Sequence, residues 1–355
     1  MGNMVKMMID FYNNKKVFIT GHTGFKGTWL CRVLLQAGAE VTGYALAPST
    51  IPSLFEQTNT KNDIHSILND IRNLDAIKQS MFISKPDIVF HMAAQPIVLY
   101  SYKEPVFTYE TNVIGTVNIL EAVRSVSSIK SFVNVTTDKV YENKEWHWGY
   151  RENENLCGYD PYSNSKSCSE LVTYSYRNSF FNISDSPAIS TARSGNVIGG
   201  GDYSEDRIIP DCIRAIKNKD EIIVRNPYST RPYQHVLECL GGYLLLAQKQ
   251  YDKLFEGAYN FGPDDESCIT TGNLADLFCF AWGQEAKWRI QENNGPHEAN
   301  FLKLDCSKAK SVLKWEPRWN IKTAIEKTVE FAKCSTDNER IVCIDRQINE
   351  YFRKK

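Results

Sequence analysis

The sequence predicts an α/β protein built on a doubly wound parallel sheet, with a smaller C-terminal lobe interleaved with it. Three observations lead there. Short, nearly continuous apolar runs alternate with segments of helical period through about the first 200 residues. A glycine-rich turn closes the first apolar run and opens the first helical segment. After Gly199 the alternation gives way to a Gly triplet, Pro-bearing turns and short mixed segments. Strand–helix alternation with apolar strands implies a parallel sheet covered on both faces, and right-handed crossovers make the doubly wound arrangement the simplest solution.

The elements follow in chain order. Residues 1–14 form a polar lead-in, without the apolar segment and small-residue cleavage site of a secretory signal. Lys16–Thr20 (KVFIT) is a short buried strand. Residues 29–37 carry helical spacing and stop at Gly38. Glu40–Ala45 (EVTGYA) is the second strand, 74–83 a helix and 87–92 (DIVFHM) a strand. Residues 107–126 read as a helix, 132–136 (FVNVT) as a strand, 162–180 as a long helix and 189–193 as a strand. Further on, 241–250 reads as a helix and Ala258–Phe261 as a short strand.

Composition narrows the function. At about 150 residues per domain, the 355 residues make two domains or one large α/β unit. Hydrophobic residues at 42% and charged residues at 23% rule out wholesale disorder. A formal net charge of −1 argues against a general nucleic-acid binder, which needs a basic surface. No run approaches the roughly 18 apolar residues of a membrane helix. The 10 cysteines show no CxxC and no Cys/His grouping at zinc spacing. Free thiols, a reducing cytoplasm and no metal are therefore the expectation.

Gly21, Gly24 and Gly27 (GHTGFKG) sit between the first strand and the first helix. Glycine lets the backbone turn tightly and approach a diphosphate, whose charge the helix N-terminus favours. This points to a dinucleotide and a Rossmann-type sheet. The end of the second strand, Gly43 to Pro48, offers neither an acid for a ribose hydroxyl nor an Arg for a 2′-phosphate, so NAD and NADP stay open on the motif. Asp70 is a candidate for the adenine amino group, or a turn or helix-capping residue.

Tyr162 and Lys166 (YSNSK) lie one helical turn apart on one face. A tyrosine is a poor base at a pKa of about 10. A neighbouring ammonium and a nicotinamide are expected to lower it, so that it takes a hydroxyl proton as hydride leaves the same carbon. Thr137, Asp138 and Lys139 follow the strand FVNVT, at the carboxyl end where open α/β sheets bind ligands. There a Thr hydroxyl can bond a substrate oxygen, an Asp can donate a proton if its pKa is raised, and a Lys offers a cation or a base.

With these residues in hand, the chain resembles the extended short-chain dehydrogenase/reductase family, and within it the nucleotide-sugar 4,6-dehydratases of the CDP-glucose branch. The resemblance runs from about Lys16 to Ile344, through GHTGFKGTWL, FHMAAQP, TTDKVYEN, GYDPYSNSK, GNVIGGGDY, RPYQHVLE and HEANFLKLDCSKA. It implies a lyase that recycles bound NAD and releases water from CDP-glucose. Tyr162 is then the base at the sugar 4-hydroxyl, steered by Thr137 and Lys166, and Asp138 the acid at the 6-hydroxyl. Relatives acting on dTDP-glucose carry Asp-Glu at the position of Asp138-Lys139, so Lys139 is only a candidate for the C5 base. The branch usually has an Arg where this chain has Leu99.

The resemblance further implies that Gly21, Thr23, Gly24, Phe25, Lys26, Gly27, Asp70, Ile71, Ala93, Ala94, Gln95, Asn112, Tyr162 and Lys166 hold the cofactor. Asn196, Arg207, Arg231, His235, His297 and Glu298 face the nucleotide sugar, with Arg231 as a clamp on its diphosphate. Asn112 and Asn196 read equally well as structural amides, and His235 and His297 as groups that only orient the pocket. Trp146 and Trp148 either wall the sugar pocket or pack. The cofactor unit is expected over 14–198 and 232–262, the sugar unit over 199–231 and 263–345. Family relatives pair through the Tyr/Lys helix, so a homodimer or homotetramer is expected, with no nucleic-acid or membrane partner. Two other readings compete. A 4-epimerase or dehydrogenase has no use for Asp138-Lys139, and a cofactor-sensing binding protein has no use for Tyr162 and Lys166.

Overall fold

The computed structural model describes residues 8–283, 286–291 and 300–353. Seven parallel strands form the central sheet: β1 (Lys16–Thr20), β2 (Glu40–Ala45), β3 (His65–Leu68), β4 (Ile88–His91), β5 (Ser131–Val135), β6 (Ala188–Ser194) and β7 (Ala258–Phe261). Their spatial order is β7-β6-β5-β4-β1-β2-β3. The order reverses between β1 and β4, and at such a switch point the loops at the carboxyl ends diverge and leave a crevice.

Strand periodicity divides the core. Val17 and Ile19 of β1 enter a cluster with Trp29, Leu34, Val133, Leu240 and Tyr243, whereas Phe18 enters a second with Tyr44, Val89, Ile119 and Phe132. The first face is covered by α1 (Phe25–Gln36) and the second by α2 (Leu74–Ser84), α3 (Gly115–Arg124) and α4 (Pro161–Phe180). A third cluster joins α5 (Ile208–Lys217), α7 (Thr271–Trp282) and α8 (Ile321–Ala332) through Ile209, Cys212, Leu274, Phe278, Ile325 and Val329. Between them in the chain, α6 (Val236–Lys249) is buried in the first cluster.

Several boundaries differ from the sequence reading. Helix α1 starts at Phe25 rather than 29, directly after the glycine turn, with Gly24 as its N-cap. The helix expected over 107–126 is broken into Pro105–Tyr109, a wider turn at Glu110–Ile114 and α3. Strand β3 was not expected, because its HSIL sequence lacks a buried residue and sits at the sheet edge. The region after Gly199 is more helical than its pattern suggests. Pro210 falls in the first turn of α5, where a missing N–H costs nothing.

The last segment of the chain packs across the expected division. Helix α9 (Asp337–Arg353) sends Cys343, Ile344, Ile348 and Tyr351 into the first cluster, as do Leu302, Leu304, Cys306 and Leu313. Arg32 of α1 grips Asp345 of α9 through two bonds of 2.8 and 2.7 Å. Much of 300–345 therefore packs with the sheet and not with the third cluster.

Candidate active site

A cavity of about 1620 Å³ opens along the carboxyl ends of β1, β2, β4, β5 and β6. Its first wall is the glycine turn. Gly21 has φ +79°, and a Cβ there would stand 2.7 Å from Ala93 N. A Cβ on Gly27 would stand 2.1 Å from the Gly21 carbonyl oxygen. Backbone on both sides leaves no room for a side chain. Thr23 ties the turn to β2 by donating to the Leu46 carbonyl at 2.9 Å. Gly24 caps α1 without a side chain and the first turn holds no acid, so its N–H groups are left for a ligand anion. This donor set fits a dinucleotide diphosphate.

Asp70 and Ile71 line the far end. The Asp70 carboxylate turns to Arg72, accepting its backbone N–H at 2.9 Å and its guanidinium at 2.7 Å, and Arg72 holds it below the usual carboxylate range. It makes the turn contact and also faces the cavity. Ala93, Ala94 and Gln95 form the wall after β4. Asn112 does not reach the cavity. Its amide accepts from Gln95 N at 2.8 Å and donates to Gln95 O and Ser165 Oγ at 3.1 and 2.8 Å. It fixes the Ala94–Gln95 wall from behind, which corrects the expectation of direct cofactor contact.

The chemistry-bearing groups meet where β5 ends against α4. Asp160 caps α4 by accepting from Ser163 N at 2.9 Å, and Pro161 occupies the first position, so the helix begins one residue before Tyr162. Tyr162, Lys166, Thr137, Asp138 and Lys139 all line the cavity. Thr137 Oγ1 donates to Asp138 Oδ1 at 3.0 Å, and Asp138 Oδ2 is buried with no hydrogen-bond partner. Burial raises the Asp138 pKa, against the pull of Lys139, Thr137, Arg231 and Lys26. Its carboxyl is therefore biased towards the protonated form.

Tyr162 departs from the expectation of a lowered pKa. Burial pushes it up to about 12, opposed by the Thr137 hydroxyl. Lys166 donates to the Val135 carbonyl at 3.2 Å, and burial followed by the charge of Lys26 lowers it to about 8. The protein alone thus keeps the phenol protonated.

Behind these groups lies a buried ion pair. Glu170, two turns along α4 from Tyr162, meets Arg193 of β6 at 2.8 and 2.9 Å and accepts from Thr136 and Thr191 at 2.5 and 2.7 Å. Arg193 keeps Glu170 below the ordinary carboxylate range despite its burial. The network holds Thr136, and so the start of the Thr137–Lys139 segment, against α4.

The remaining wall carries the groups expected to face a sugar nucleotide. Asn196, Arg207 and Arg231 line it. Arg207 bonds Asp202 at 3.0 Å, and Arg231 donates to the Thr230 carbonyl at 3.1 Å. His235 is a correction. It is fully buried off the cavity, capping α6 by accepting from Leu237 N, with its ring between Trp29 and Trp319 at 5.7 and 4.9 Å. Burial lowers its pKa to about 3, so it stays neutral. His297 and Glu298 lie outside the described residues. Trp146 stacks on Tyr150 at 5.0 Å and packs against the first cluster, Trp148 lies tilted against Trp146 and is exposed, and neither lines the cavity.

Sequence reasoning missed Ser194, Arg225, Tyr233 and Thr271, which share this wall. Ser194 was within reach, since it ends β6 as Val135 ends β5. Tyr233 lies in the RPYQHVLE segment beside Arg231 and was also within reach, whereas Arg225 follows a short strand and Thr271 opens α7 with no pattern to mark them.

Comparison with known proteins agrees with this geometry. Residues 18–328 match the model of the GDP-mannose 4,6 dehydratase family. The chain is 49% identical over 354 residues to the CDP-glucose 4,6-dehydratase of Salmonella typhimurium, covering 97% of this chain and 99% of that one. Among solved structures, an epimerase from Methanothermobacter thermautotrophicus superposes with a TM-score of 0.80 at 21% identity, over 92% of this chain and 94% of that one. A dTDP-glucose 4,6-dehydratase from Bacillus anthracis, solved in complex with NAD, superposes with a TM-score of 0.74 at 20% identity, over 88% and 95%.

Proposed function

The chain belongs to the GDP-mannose 4,6 dehydratase family, and from that premise we infer that it converts CDP-D-glucose to CDP-4-dehydro-6-deoxy-D-glucose and water. The observation that carries the reading is the buried, partly unpartnered carboxyl of Asp138 beside Thr137 and Tyr162. An epimerase or a plain dehydrogenase has no hydroxyl to expel and no task for it.

NAD is the cofactor, and when bound it would supply a reversible hydride acceptor beside the sugar. Gly21, Thr23, Gly24, Phe25, Gly27 and the backbone of Lys26 would hold its diphosphate end, Asp70 and Ile71 the adenosine end, and Ala93, Ala94 and Gln95 the wall between. Tyr162 would be the base at the 4-hydroxyl once a bound nicotinamide's positive charge favours its phenolate against the effect of burial, and Thr137 would bond the same oxygen. The site holds a phenol at about 12 and an ammonium at about 8, so Lys166 is the more readily emptied proton store beside it. Once C4 is a ketone the C5 hydrogen is acidic. Lys139 is the candidate base for it, and Asp138 gives its proton to the 6-hydroxyl as the C6–O bond breaks. The C5 base then returns its proton. Asn196, Arg207 and Arg231 hold the nucleotide diphosphate, the two arginines as matched donors for phosphate oxygens.

We read the elements around the third core cluster as the lobe that carries the sugar nucleotide, and the sheet with α9 as the cofactor unit. Leu171 and Tyr174 are exposed on α4, which supports pairing of two copies through this helix, to be tested by light scattering. All ten cysteines are free, as in a reducing cytoplasm. No described helix is long and apolar enough to cross a membrane. The function is tested by incubating the purified protein with CDP-, dTDP-, GDP- and UDP-glucose in parallel. A 4-keto-6-deoxyhexose should form from the CDP sugar without added reductant. No product from any of them at saturating NAD rejects the reading.

A further inference from the structure

We propose that Lys26 is a positioning residue for the elimination, its ammonium stabilising the carboxylate that Asp138 becomes on protonating the leaving 6-hydroxyl. The proposal rests on the dehydratase reading above. Lys26 is the second residue of α1, so its backbone belongs to the diphosphate turn. Its side chain goes to the end of β6, where Nζ donates to Ser194 Oγ at 3.3 Å. Ser194 Oγ shares a 2.5 Å hydrogen bond with Tyr243. The next residue, Gly195, lies against the acid, its Cβ position 2.9 Å from Asp138 Oδ2. Ammonium and carboxyl thus adjoin two consecutive residues, Ser194 and Gly195.

A lysine ammonium has three donors. Among the described residues, Ser194 is the only hydrogen-bond acceptor recorded for this one, and no carboxylate stands within ion-pair distance. Burial lowers the Lys26 pKa and Arg207 lowers it further, whereas Cys239, Asp138 and Asp202 pull it back up, so the ammonium depends in part on the acid it faces. The groups facing it are Asp138 from the β5 loop, Lys166 from α4, Cys239 from α6, and Asp202 and Arg207 from the segment before α5. Those facing Asp138 are Thr137 and Lys139 of its own loop, Arg231, Lys26 and Tyr162. Lys139 and Arg231 are the other cations facing Asp138, and substitution of Lys26 alone separates its part from theirs.

The step balances within the site. The C5 proton passes to the base, and its electron pair becomes the C5–C6 double bond. The C6–O pair leaves with the oxygen, which takes the Asp138 proton and departs as water. Asp138 then carries a negative charge in a buried place, where a nearby cation acts with little screening.

Lys26→Met and Lys26→Arg in the full-length, NAD-loaded protein test this with CDP-glucose across pH. In Lys26→Met, kcat should fall about 10- to 100-fold, with KM and bound NAD little changed. The alkaline limb of kcat should move to higher pH, because Asp138 without that cation holds its proton longer. Lys26→Arg should keep the limb in place. Selectively labelled aspartate, read by NMR and assigned against Asp138→Asn, isolates the Asp138 titration, whose midpoint should rise in Lys26→Met. An unmoved limb and midpoint overturn the proposal. Loss of bound NAD without a change in the midpoint also overturns it, by placing the ammonium on the cofactor. If the wild-type protein leaves CDP-glucose untouched, the substrate reading fails, while the aspartate titration still decides the role of Lys26.

Discussion

Asp138 and Gly195 are in direct apposition: a methyl group on Gly195 would lie 2.9 Å from the free carboxyl oxygen of Asp138 and 2.7 Å from the Pro232 ring. The acid of the site is seated against a bare backbone. Gly195→Ala should displace the carboxyl from the 6-hydroxyl and lower kcat at least about tenfold, with NAD content unchanged. Asp138→Asn removes the proton itself and should slow elimination more than the first hydride transfer, seen as build-up of reduced-nicotinamide absorbance. Equal slowing of both would reduce Asp138 to a spacer. Since burial raises its pKa, wild-type turnover should persist above the usual carboxylate range and fall as rising pH deprotonates it.

Tyr162→Phe should lower kcat by about 10²- to 10⁴-fold, the range for a lost acid–base group. NAD retention should persist, because the ring remains. Near-normal turnover would move the base elsewhere in the cavity.

Gly27→Ala forces a Cβ within 2.1 Å of the Gly21 carbonyl and 2.7 Å of His22 Cα. Both neighbours are backbone, so the turn itself must open. The variant should lose bound NAD on gel filtration and melt at lower temperature. A variant with full cofactor content would show that this turn does not carry the diphosphate.

Arg193→Met leaves Glu170 buried without its partner and should destabilise the protein by about 3–5 kcal/mol, measured by denaturant unfolding. The folded pKa of Glu170 lies below its reference of 4.5, so the pair's contribution is present above that value and fades as pH falls through the lower, folded one. Wild type and variant should therefore converge in stability towards acid. A constant gap would show that the loss is one of packing.

Much of this site is written locally in the sequence. The glycine turn, the Thr137–Lys139 segment and the Tyr162–Lys166 spacing each follow from one strand end or one helical turn, and all reach the cavity. What sequence reading missed depends on tertiary surroundings. His235 lies in a motif-rich segment, yet Trp29 and Trp319 close over it from distant parts of the chain. Asn112 stands 17 residues from the loop it holds, and its amide is spent there. The raised pKa of Tyr162 comes from burial, which spacing does not reveal. Strand β3 lacks an apolar run because a sheet edge needs none.

The grip between Arg32 and Asp345 joins residues 313 positions apart. Synthesis proceeds from the amino end, and early segments fold first. The helix that presents the diphosphate turn thus leaves the ribosome long before the helix that braces it. Chains truncated before α9 should contain the whole NAD-binding motif and still hold the dinucleotide poorly, which makes cofactor loading a late event in the protein's biogenesis.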